Sequence, residues 1–187
     1  LGLIAIDTVL VLAFVDQLWF RELPCPLCIL SRAGFIAAGF GIALNLLFGP
    51  RPGHYGMTLL GASIGAVVSI RQILLHIVPD TGSYGSPILG LHLYTWALMF
   101  FGLMVVGTGI MLFFGRQFAP TQVQAPEKLP LLSVIGLVTF FALAAGNVVS
   151  TLSICGFGLC PHDPTGYLIF NDNLSAVSYT HLRAHET

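Results

Sequence analysis

The chain has 187 residues, 56% of them hydrophobic and only 8% charged, with seven Lys and Arg against eight Asp and Glu for a formal net charge of -1. Soluble domains carry about a quarter charged residues, so this composition excludes an ordinary soluble protein and points to a lipid bilayer. There is no basic surface for nucleic acid and no acidic tail for a basic partner, and four cysteines are too few for a secreted disulfide scaffold.

A helix crossing about 30 Å of hydrocarbon needs about 20 mostly apolar residues, and five stretches qualify. The first runs over about 1–20 and contains Asp7. It begins without Met or a basic leader and no A-x-A pattern follows it, so it reads as a retained helix of a chain truncated at its front. Arg21 to Pro24 separates it from the second span, about 28–48; Gly49 to Gly53 leads to the third, about 57–78; Pro79 to Gly85 leads to the fourth, about 87–114. The longer connection from Gly115 to Pro130, with three prolines, leads to the fifth span, about 131–154. These spans predict an all-α integral membrane protein with a single transmembrane domain over 1–170. Residues 171–187 are polar and without apolar periodicity, and are expected to be a disordered or non-native end. The His181 and His185 pair within that end carries i, i+4 metal-ligand spacing, but the plainer reading assigns it no function.

Cytoplasmic loops carry the excess of Lys and Arg. Arg51, Arg116 and Lys128 fall in the second and fourth connections, which go inside; the first and third connections and the end of the fifth span go outside. All four cysteines then fall on the outer face, the side of a bacterial inner membrane where disulfides persist.

Cys25-Pro26-Leu27-Cys28 is a C-x-x-C at a helix N-terminus, where free N–H groups and the helix dipole stabilise a thiolate. Pro24 and Pro26 fix the backbone around it, and a proline in the first turn costs the helix no hydrogen bond. Cys155 and Cys160 flank a loop with two glycines; a disulfide there would be a small exposed ring of the exchanging kind. The plainer readings are static staples, or a zinc site made of all four thiolates. Arg32 lies one turn deeper than Cys28 on the same face, where a charge calls for a reason; a polar ligand head at the membrane boundary would give one. Arg71 and His76 lie in the outer half of the third span, with Gln72 sharing the face of His76 and Arg71 bordering it. An internal ion pair or snorkelling is as good an account of Arg71 as ligand binding, and an interfacial role as good an account of His76 as proton transfer.

The run Leu23-Pro24-Cys25-Pro26-Leu27-Cys28-Ile29-Leu30-Ser31-Arg32, opening the second of several spans, resembles the disulfide bond formation protein B (DsbB) family of bacterial inner membranes. Weaker similarity extends through Arg71-Gln72 and 90–96. The resemblance implies a four-helix bundle core, here with an additional fifth transmembrane helix. It also implies a thiol-disulfide oxidoreductase that takes electrons from a periplasmic, DsbA-like thioredoxin-fold protein and delivers them to the membrane quinone pool, ubiquinone or menaquinone. Carried over, Cys28 would face the quinone, Cys25 would exchange with the second pair, Arg32 would be the quinone-site arginine, and Arg71 and His76 would be weaker quinone-site candidates. The better-known members keep their second cysteine pair between the third and fourth helices; here that loop has none, and Cys155 and Cys160 follow the fifth span instead. A vitamin K epoxide reductase-like enzyme is the nearest alternative, but its C-x-x-C would fall late in the bundle rather than at the second helix.

Overall fold

The computed structural model describes residues 1–21, 23–77, 89–118, 129–156, 158, 160 and 166–170. Val78 and Pro87, expected to end the third span and open the fourth, lie outside them, as do the tail 171–187 and most of the connection before the fifth span. Among the described residues the chain is five long helices: α1 (Gly2–Trp19), α2 (Pro26–Phe48), α3 (Pro52–His76), α4 (Leu93–Leu112) and α5 (Leu131–Cys155). All five are long and apolar enough to cross a membrane, and the protein is an all-α, multi-pass membrane protein.

Local chemistry sets the helix ends. α2 starts at Pro26 with Cys25 as its N-cap, so the C-x-x-C is the first turn of the helix itself. α3 starts five residues before the expected 57 because Pro52 is tolerated at the first helical position, which leaves only a tight turn after α2. In that turn Asn45 Oδ1, near the end of α2, accepts from the Arg51 N–H at 3.2 Å and lies 3.1 Å from His54 Nδ1. α4 starts later than the expected 87 because Leu89 and Gly90 take left-handed backbone angles, φ 53° and 80°, which no helix can contain. Gly156, at φ 61°, closes α5 immediately after Cys155.

α2 and α3 make the most extensive helix pairing, and α4 packs against α3. α1 and α5 pack on each other and on α2. Small residues let the α2–α3 backbones approach, as is usual where lipid rather than water surrounds the helices. Gly34 faces Gly65 across this seam, and Phe101 of α4 lies over both, stacked on Phe35 with ring centroids 4.0 Å apart. Leu3, Ile6 and Leu10 of α1, Phe35 and Ala38 of α2, Phe101 and Phe140 form the buried core. Leu60, Ile64, Val67, Leu103 and Val138 turn outward, an apolar rim suited to acyl chains.

Candidate active site

The site gathers at the end of the bundle where α2 begins and α3 ends. Cys25, the N-cap, is 4% exposed, and its Sγ accepts the Cys28 backbone N–H at 3.2 Å. Cys28 lies one turn on and is half-buried; both are free thiols. The hydrogen bond to the Cys28 sulfur, and then burial, hold the Cys25 thiol well above the ordinary thiol range, as expected when Cys25 keeps the proton that the pair shares.

Gln72 of α3 closes the site from the other side. Its side-chain Nε2 donates to Cys28 Sγ at 3.2 Å and to Cys25 Sγ at 3.4 Å, and the residue is 1% exposed. One turn further on, His76 Nδ1 lies 2.7 Å from the Gln72 backbone oxygen. A carbonyl only accepts, so Nδ1 carries the proton. The His76 ring stacks on Tyr94, and Tyr94 on His92, with centroids 5.5 and 5.3 Å apart, so the start of α4 joins the rim of the site. Among the described residues, His92 Nδ1 is buried with no hydrogen-bond partner.

Arg32 is one turn below Cys28 on α2 and is buried. Its guanidinium turns towards α1: Nη1 donates to Gln17 Oε1 at 2.6 Å, Nη2 to the Ala13 carbonyl at 2.7 Å, and the Phe14 ring lies 5.4 Å beneath. Gln17, itself buried, lies 2.8 Å through Nε2 from the Ser150 hydroxyl of α5. A buried charge needs such hydrogen bonds to persist. The chain Arg32, Gln17, Ser150 links three helices in the half of the membrane nearest the cysteines.

Cys155, buried at the end of α5, is bonded to Cys160 with Cα atoms 4.4 Å apart. The second pair is thus disulfide-bonded while Cys25 and Cys28 are free thiols. Arg71 is exposed on α3, next in sequence to the buried Gln72. Of the residues singled out from sequence, the structure brings Cys25 and Cys28 together, sets His76 behind Gln72, and commits Arg32 to α1. Gln17 and Ser150 emerge only from the packing, as does the contact of Gln72, noted in the sequence only for its place on the His76 face, with the two sulfurs.

The family profile described as disulfide bond formation protein DsbB matches residues 1–84. The disulfide bond formation protein B of Xanthomonas euvesicatoria is 31% identical over 116 residues, which cover 58% of this chain and 67% of that protein. Its namesake from Marinobacter nauticus is 31% identical over 134 residues, covering 52% of this chain and 78% of that protein. The Chromobacterium violaceum protein of the same name is 41% identical over 71 residues, 36% of this chain and 43% of that protein. No solved structure matches. The profile spans Cys25, Cys28, Arg32 and Gln72, and ends before the second cysteine pair.

Proposed function

The chain belongs to the disulfide bond formation protein B family, and on that premise we propose that it is a bacterial inner-membrane thiol-disulfide oxidoreductase that reoxidises a periplasmic DsbA-type dithiol and passes the electrons to a membrane quinone. The observation that carries this reading is the C-x-x-C in the first turn of α2, with both sulfurs under one buried amide and a buried arginine one turn below.

The residues present fit a quinone head. Arg32 has five N–H donors, of which the two described bonds to α1 engage two, and among the described residues the buried His92 Nδ1 has no partner. Arg32 would hold a quinone oxygen, and the fixed guanidinium would favour negative charge developing there in a water-poor site. A bound quinone supplies a sink for two electrons and two protons. DsbA-type couples sit near about -120 mV, so an acceptor at glutathione poise would run the reaction backwards.

The chain's own residues carry the rest. A partner thiolate attacks the Cys155–Cys160 disulfide; one sulfur leaves as thiolate, and the partner's second thiol resolves the mixed disulfide, leaving Cys155 and Cys160 reduced. That pair then reduces Cys25–Cys28 by the same two displacements. Cys25 holds the pair's proton while Cys28, the sulfur nearer Arg32 along α2, gives up the electrons; as the Cys25–Cys28 bond closes, the Cys25 proton and the two electrons would pass to the quinone, with the second proton from solvent, and the enzyme is reset.

The test is aerobic-independent oxidation of a reduced DsbA-like protein by the purified chain with added ubiquinone, followed by quinone absorbance. Stoichiometric loss of quinone and partner thiols is expected. Partner oxidation that does not depend on quinone, or no oxidation at all, would reject the proposal.

A further inference from the structure

We propose that Gln72 is a catalytic residue of the Cys25–Cys28 couple, its side-chain amide stabilising the reduced pair over the disulfide and thereby making the couple a stronger oxidant. The inference rests on reading that pair as the redox couple of the proposed function and adds what sets its driving force.

The geometry is specific. An amide nitrogen carries two hydrogens, and Gln72 Nε2 has two sulfurs in reach, at 3.2 and 3.4 Å, so one hydrogen serves each. The side chain is 1% exposed, so water does not compete for those hydrogens. The position is fixed from behind by the His76 ring on the Gln72 carbonyl, and from below by the close Gly34–Gly65 seam between α2 and α3.

The two redox states use this amide differently. Thiol and especially thiolate sulfurs accept hydrogen bonds, and bonds to a charged acceptor are the stronger kind. On oxidation the two sulfurs lose two electrons and their protons and form a bond of about 2.0 Å. Disulfide sulfurs carry no charge and accept weakly, so the buried amide loses its partners in that state. A buried donor left without an acceptor is costly, and that cost falls on the oxidised form alone. Stabilising the reduced form of a dithiol raises its potential.

A redox titration of the full chain in detergent, without quinone or partner protein, tests this. The protein is equilibrated with mixtures of reduced and oxidised dithiothreitol. The buffer dithiol gives up its two S–H bonds and closes its own disulfide as the Cys25–Cys28 bond opens to two thiols, so electrons and protons balance. Alkylation and peptide mass spectrometry then read the two cysteine pairs separately. Gln72→Leu and Gln72→Met are both expected to favour the disulfide by about tenfold to a hundredfold, the loss of two hydrogen bonds to sulfur, or about 30 to 60 mV more negative for a two-electron couple. The Cys155–Cys160 midpoint should stay in place, and Leu74→Ala, on the exposed side of α3, should move neither.

A shift under about 10 mV, about twofold, in both folded variants would overturn the role of Gln72. Should the wild-type Cys25–Cys28 pair fail to titrate as a two-electron couple, the reading of this pair as a redox centre falls, and this inference with it.

Discussion

Replacing Gly34 with alanine should loosen the pairing on which the dithiol depends. A Cβ at Gly34 would lie 2.8 Å from Gly65 Cα and 3.3 Å from both Gly65 N and the Phe101 ring. Carbon atoms rest about 3.5 to 4.0 Å apart, so α2 and α3 must part by about 0.7 Å or Phe101 must leave its stack on Phe35. Phe101 is fully buried and has nowhere to go. Overpacking of this kind costs about 1 to 3 kcal/mol, offset by up to about 1 kcal/mol because alanine is the better helix former. Gly102→Ala on α4 supplies the reference, since a Cβ there meets nothing within 4 Å while the propensity gain is the same. The difference between the two variants is then the steric cost alone, equivalent to about 2 to 12 °C in melting temperature for a chain of this size. The seam also sets the distance from Gln72 to Cys28, so parting the helices should speed alkylation of Cys28. Thermal unfolding in detergent alongside a timed alkylation measures both. Gly34→Ala melting at or above Gly102→Ala would refute the claim that backbone contact governs this seam.

Other expectations concern chemistry. Cys28→Ser should abolish quinone reduction while the Cys155–Cys160 disulfide still exchanges once with a reduced partner, read as a single stoichiometric burst of partner oxidation. Arg32→Ala should raise the KM for quinone. Gln17→Leu, which removes the 2.6 Å bond to Arg32, should raise it in the same direction by about threefold to tenfold, the worth of one hydrogen bond. The double variant should match Arg32→Ala alone; additive effects would show that Gln17 does not act through the arginine. Asp7 is buried on α1 with Oδ1 unpartnered among the described residues, so Asp7→Ala should raise the melting temperature by relieving a desolvated polar atom at a cost of about 1 to 3 kcal/mol. A fall would reveal that the carboxylate carries an interaction of its own.

Much of this was legible in the sequence because the bilayer demands it: five long, predominantly apolar runs have no soluble use, and the helices fall where those runs do. The reading failed where one residue type serves two purposes. Pro52 reads as a loop residue yet opens α3, because a first-turn proline forfeits no hydrogen bond. The fourth helix starts late because Leu89 and Gly90 turn left-handed, and a leucine gives no sign of that. In the site, spacing alone identified the C-x-x-C and put Arg32 a turn beneath it. It could not say that Arg32 would reach α1, since contacts between helices depend on rotation about their axes. Gln72 offered one signal, its i, i+4 relation to His76 in an apolar span, where a buried amide requires partners; which partners, only the packing could tell.

The second cysteine pair differs from the first in what breaking its bond would release. Cys155 ends α5 and is anchored there, close to the Ser150 contact with Gln17, whereas Cys160 lies beyond the helix, its Cα 4.4 Å away, in a chain that returns to α5 at 168–170. Five residues of chain can span at most about 17 Å when extended. Reduction would therefore let the two sulfurs part within that limit while Cys155 keeps its place on α5. On the proposed reading, the added fifth helix would set where the second pair stands, with Cys155 as its fixed member.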